Sequence, residues 1–129
     1  MNENKNIGAL IIDDDVDICF LLTLILRNKN IQSVYVNSIA EARTAFQKYK
    51  PEIVFLDNHL PDGVGIEFIP TIKEICPQTR ILMITAHNSD SNKKKAVSSG
   101  AEFFIGKPFN MDEISHVLDK LDVVKPEKK

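Results

Sequence analysis

The chain predicts an α/β fold: a doubly wound sheet of five parallel strands with helices on both faces. Three observations carry this. Short apolar runs stop abruptly at polar residues, each run is followed by a segment with helical spacing, and the alternation repeats five times. Runs that are apolar on every residue suit strands covered from two sides. Right-handed crossovers then bring all five carboxyl ends to one edge, which is where open α/β sheets bind ligands.

Taken in order, Ile7 to Ile12 (IGALII) reads as the first strand and stops at Asp13, Asp14 and Asp15. Val16 to Lys29 follows as a helix with Ile18, Leu21, Leu22, Ile25 and Leu26 on one face, and Asn30 as its stop. Val34 to Val36 is a short second strand. Ser38 and Glu41 form a capping box that opens a helix to about Tyr49, with Pro51 beyond it. Ile53 to Leu56 is the third strand and ends at Asp57; Pro61, Asp62, Gly63 and Gly65 then turn the chain away from the sheet. Ile66, Ile69, Ile72 and Cys76 have helical spacing, but Pro70 among them removes a backbone donor, so this helix is expected to kink or start late. Arg80 to Ile84 is the fourth strand, ending at Thr85. Ser89 to Ser99 is a polar helix stopped by Gly100, and Glu102 to Ile105 is the fifth strand, ending at Gly106 and Lys107. Asn110 and Glu113 cap the last helix, marked by Ile114, Val117, Leu118 and Leu121.

At 129 residues the chain suits one domain, expected over residues 7–121, with residues 1–6 a flexible leader and 122–129 a polar tail or the start of a linker. Eighteen acidic against sixteen basic residues give a net charge of −2, which provides no general attraction to nucleic acid or an anionic membrane. Cys19 and Cys76 form no C-x-x-C pair and read as small buried thiols in a reducing cytosol. MNENKN lacks a signal core and no apolar run reaches membrane-spanning length, so the expected location is cytoplasmic.

Four strand ends carry reactive side chains: Asp13 and Asp14, Asp57, Thr85, and Lys107. Carboxylates gathered at one edge repel unless a cation sits among them, and a hard divalent ion, Mg²⁺ or Mn²⁺, suits oxygen ligands. His59 could add its backbone carbonyl; its imidazole is the wrong donor type for Mg²⁺. The three acids, a divalent ion and Lys107 are balanced in charge. A phosphoryl group on Asp57 would leave an excess of about one negative charge, which Lys107 could meet as a point charge and Thr85 with a hydroxyl hydrogen bond.

The motifs IIDDD at Ile11 to Asp15, FLDNHLPDGVG around Asp57, ITA at Ile84 to Ala86, SGAEFFIGKPF at Ser99 to Phe109, and NMDEI at the last helix stand in order over Ile7 to Leu121. With these motifs the chain resembles the receiver domains of bacterial two-component response regulators. The resemblance implies the flavodoxin-like strand order 2-1-3-4-5, which a member of that family exemplifies. It implies Asp57 as acceptor of a phosphoryl group from a sensor histidine kinase or a histidine phosphotransfer protein, Asp13 and Asp14 as the Mg²⁺-binding pair, Thr85 as the switch hydroxyl, Lys107 as the site lysine, and a cis Lys107–Pro108 bond. Phe104 stands where the family often has a tyrosine; it lacks the hydroxyl but can still exchange buried and exposed positions. The implied behaviour is Mg²⁺-dependent self-phosphorylation and self-dephosphorylation without turnover of a separate substrate. The face formed by the fourth helix, fifth strand and fifth helix would signal to an output domain or effector outside this chain. A stand-alone receiver, a receiver cut from a longer regulator, and a phosphorylation-linked homodimer all stay open.

Several residues have plainer readings. Asp15 and Asp17 are acids in a helix's first turn. Asp62 is a turn residue, His116 helix surface, and Lys93, Lys94 and Lys95 a solvated face or a docking surface. His59 and His87 flank the expected site, either as plain loop histidines or as residues that shape water access. A phosphorylation-independent docking module is the first alternative. A haloacid-dehalogenase-like aspartyl phosphatase would need an acid where His59 stands, and a flavodoxin-like cofactor binder would need Ser, Thr or Gly where the three aspartates stand.

Overall fold

The computed structural model of the chain describes residues 5–86 and 89–121. In chain order the elements are β1 (Lys5–Ile12), α1 (Val16–Asn28), β2 (Ser33–Val36), α2 (Ile39–Phe46), β3 (Tyr49–Leu56), β4 (His59–Leu60), β5 (Gly63–Val64), α3 (Gly65–Ile75), β6 (Arg80–Thr85), α4 (Asp90–Ser99), β7 (Phe103–Gly106) and α5 (Met111–Leu121). Among the described residues, five strands form a parallel sheet in the order β2-β1-β3-β6-β7, the flavodoxin-like order expected. β4 and β5 form a small antiparallel hairpin directly after Asp57, where only a turn was expected.

The alternation of side chains along each strand divides the core between the two faces of the sheet. On one face Leu10, Ile12, Val54, Leu56 and Met83 meet α2, α3 and the single buried residue of α4, Ala96. On the other, Ala9, Ile11, Phe55, Leu82 and Ile84 meet α1 and α5. Asn30 at φ 62° and Gly100 at φ 124° take the left-handed stops foreseen for α1 and α4. Both cysteines are buried free thiols.

Several boundaries differ from expectation, most by a single residue. β1 begins at Lys5, so Lys5 and Asn6 leave the expected leader and pair with Tyr49 and Lys50. Residues 1–4 and the 122–129 tail lie outside the described residues. α2 ends at Phe46 rather than near Tyr49, because Tyr49–Glu52 already belong to β3. Pro51 is tolerated there: the β3–β6 ladder starts only at Ile53, and the Pro51 carbonyl accepts a 2.7 Å bond from Thr79 Oγ1 instead. α3 starts at Gly65, not late, and continues through Pro70. Burial of Ile66, Phe68, Ile69 and Ile72 outweighs the one backbone bond the proline removes. The Lys107–Pro108 bond is cis, as the resemblance implied.

Candidate functional site

The sheet sets the site's spacing. Asp13 and Asp57 follow the last residues of the adjacent strands β1 and β3, and the Asp57 amide donates to the Ile12 carbonyl at 2.9 Å. Thr85 is the last residue of β6, and the Lys107 amide donates to its carbonyl at 2.9 Å, just past β7. Asp13, Asp14 and Asp57 each offer a carboxylate oxygen, all within 4.8 Å of one another. Asp13 and Asp57 are 2% and 5% exposed, whereas Asp14 faces solvent. Lys107 Nζ lies 2.9 Å from Asp13 Oδ2 and 3.7 Å from Asp57 Oδ1.

The electrostatics follow from burial. Desolvation, then the charge of Asp13, pushes the Asp57 carboxyl up to about 6, against the opposing pull of Lys107. Burial also raises Asp13, opposed by the Asp15 amide, which donates to Oδ1 at 2.9 Å, and by Lys107. Burial lowers Lys107, but its hydrogen bond to Asp13 and the charges of Asp13 and Asp57 together outweigh that, so its ammonium is held. One lysine against three carboxylates leaves an all-oxygen, electron-rich cluster. Such a donor set fits a hard divalent cation.

Other expected residues fall around this centre. Along β6 the side chain of Thr85 shares a face with Met83, which pairs with Phe104 of β7; Phe104 is half-buried against the core on that face. His59 opens β4, exposed, two residues after Asp57. His87 lies outside the described residues. Asp15 caps α1, accepting from the amides of Asp17 and Ile18, and Asp17 sits in its first turn. His116 and Lys93, Lys94 and Lys95 are exposed on α5 and α4.

Three residues escaped the reading of the sequence. Asn58 is 5% exposed; its amide donates to Asp57 Oδ1 at 2.9 Å, and its side-chain oxygen accepts the Ile66 amide at 2.9 Å. It thereby caps α3 in place of Val64, which makes no side-chain cap bond. Asn37 Nδ2 donates to the Asp13 carbonyl at 2.8 Å, beside a 3.3 Å contact from Cys19 Sγ. Asp62, read as a turn residue, accepts the amides of Ile39 and Ala40 at 2.8 and 2.9 Å on the first turn of α2, and these bonds hold its carboxyl below the usual range. The local signal was present for Asn58 alone, a capping-type residue ahead of a helix; the other two act across more than twenty positions.

The profile of the response regulator receiver domain matches residues 9–119. The chain belongs to the response regulator receiver domains. This receiver is 34% identical over 114 residues to the chemotaxis protein CheY of Halobacterium salinarum, covering 85% of this chain and 95% of CheY. It is 31% identical over 110 residues to the response regulator PilR of Pseudomonas aeruginosa, covering 85% of this chain but 25% of PilR, so it spans about a quarter of that relative's length. Among solved structures it is similar to a response regulator of Burkholderia pseudomallei with a phosphorylated aspartic acid, a calcium ion and citrate: 26% identity, TM-score 0.78, covering 95% of this chain and 76% of the other. Receiver domains typically work as non-enzymatic signalling switches. No helix among the described residues is long and apolar enough to cross a membrane.

Proposed function

We propose that this receiver is a phosphorylation-controlled switch that accepts a phosphoryl group on Asp57 from a phosphohistidine of a sensor kinase or phosphotransfer protein. The observation that carries the reading is a buried carboxylate, Asp57, set within 3.7 Å of a retained ammonium and within 4.8 Å of two further acids. With a pKa of about 6, Asp57 is ionised and nucleophilic near neutral pH. Its free oxygen attacks phosphorus as the phosphorus–nitrogen bond breaks, and the electron pair leaves with the donor's imidazole. Asp13, Asp14, Asp57 and the His59 backbone carbonyl would hold Mg²⁺ or Mn²⁺, which when bound supplies charge neutralisation to the phosphoryl oxygens. The similarity to a structure with a phosphorylated aspartic acid and a divalent ion supports the same pairing here.

Lys107, already held by Asp13, then turns to a phosphoryl oxygen, and the Thr85 hydroxyl donates to another. Movement of Thr85 opens room on the sheet face it shares with Phe104, and the α4–β7–α5 surface changes shape. The bias comes from contacts available in one state only. An output domain or effector reads that surface in the cytoplasm.

The decisive experiment is the intact mass of the protein after incubation with acetyl phosphate and Mg²⁺. One added phosphoryl group is expected, absent from Asp57→Asn and absent with chelator. No gain in the wild-type protein would replace the switch by a docking module that works without phosphorylation.

A further inference from the structure

The polar contacts outside the acid cluster form a closed ring through the first turn of α2. On one side the Asp13 amide donates to the Val36 carbonyl at 3.1 Å, and Asn37 Nδ2 returns a 2.8 Å bond to the Asp13 carbonyl. Asn37 is itself fixed, since its amide donates to Glu41 Oε1 at 2.8 Å while the Glu41 amide donates to Ser38 Oγ at 3.1 Å. On the other side Asp62, between β4 and β5, grips the amides of Ile39 and Ala40 with both carboxylate oxygens. Beside it Gly63 lies so close to Ile39 that a Cβ there would meet Ile39 Cδ1 at 2.6 Å. The hairpin leads back through the Gly65 amide, which donates to the Asn58 carbonyl at 2.7 Å, to the Asn58 amide on Asp57 Oδ1. The Asp57 amide on the Ile12 carbonyl closes the ring.

We propose that Asn37 and Asp62 are positioning residues for the cation site: through the first turn of α2 they brace the β1 end, which carries Asp13 and Asp14, against the hairpin that follows Asp57. The proposal rests on the reading of this centre as a divalent-cation and phosphoryl site. Three carboxylates held together before a cation arrives repel one another, and the segments bearing them spread unless something outside the cluster resists. Neither Asn37 nor Asp62 is part of the acid cluster. What they control is where the ligands stand, as outer partners of metal ligands do. Lowering that preorganisation weakens cation capture more than the chemistry that follows it.

The test is Mn²⁺ binding to the full chain, followed by water-proton relaxation, together with the rate of phosphoryl uptake against Mn²⁺ concentration and a thermal melt. Asn37→Ala and Asp62→Ala are each expected to raise the Mn²⁺ dissociation constant about tenfold, with the uptake rate at saturating Mn²⁺ returning towards wild type. Because both act through one helix turn, the double variant is expected to lose less than the product of the single losses. Thr79→Val, which removes the Thr79 Oγ1 bond to the Pro51 carbonyl near the opposite end of β3, serves as a control that lowers the melting temperature without moving the Mn²⁺ constant. Wild-type binding with unchanged constants in both variants overturns the brace alone and leaves Asp62 a helix cap. A wild-type protein that binds no Mn²⁺ overturns the brace and the proposed function together.

Discussion

Asp57 is an acid kept in an environment that disfavours its charge. Its carboxyl is pushed up to about 6, chiefly by burial, so without a cation the folded protein holds this proton more tightly than the unfolded chain does. The stabilising contribution is fully present below about pH 4 and is lost as pH rises through about 6, a difference of about 3 kcal/mol from this group. Two outcomes follow. In chelator at pH 7, Asp57→Asn is expected to melt higher than wild type, checked by calorimetry. Added Mg²⁺ is expected to raise the wild-type melting temperature at pH 7.5 and much less at pH 5, where the proton competes with the ion. At this scale Asp13, Asp14, Asp57, Thr85 and Lys107 were legible because each ends or follows a strand whose apolar run is visible. Asn37 and Asp62 were not, because their partners, Asp13 and the first turn of α2, lie 24 and about 22 positions away.

Among the elements, α3 starts hard against the end of β3. A Cβ on Gly65 would stand 2.2 Å from the Asp57 carbonyl oxygen, a backbone atom that cannot turn aside. Gly65→Ala is therefore expected to cost about 1–3 kcal/mol in urea unfolding and to slow phosphoryl uptake, since the displaced atom belongs to Asp57, the proposed acceptor. At the other end of the chain, Asn110 and Glu113 exchange bonds of 3.0 and 2.8 Å across the first turn of α5. Losing the Asn110 side chain is expected to cost about 1 kcal/mol in urea unfolding. That box was readable from two residues three apart. The course of α3 was not, because the penalty at Pro70 is local while the gain from Ile66, Phe68, Ile69 and Ile72 depends on a sheet that spacing alone does not display.

Over the whole molecule stability is uneven. The central strands contribute side chains to both core faces, whereas α4 has one buried residue, Ala96, and presents three consecutive lysines to solvent. Amide hydrogen exchange is expected to be faster in α4 than in α1 or α5, and to change there on phosphorylation. Similar rates in all three helices would remove the basis for an α4-centred response. The five-fold alternation made the sheet legible from sequence, since each short apolar run is followed by a segment of helical spacing. The hairpin after Asp57 escaped because two-residue strands leave no periodicity to detect.

The position of Lys107 just beyond β7 bears on how the protein is made. The acids that follow β1 and β3 leave the ribosome early, but the ammonium that partly offsets them joins only when the edge strand docks on β6, with the Lys107 amide bonded to the Thr85 carbonyl. A nascent chain ending before β7 therefore carries Asp57, the proposed acceptor, without the ammonium of Lys107 beside it, so the described site is complete only with a completed sheet.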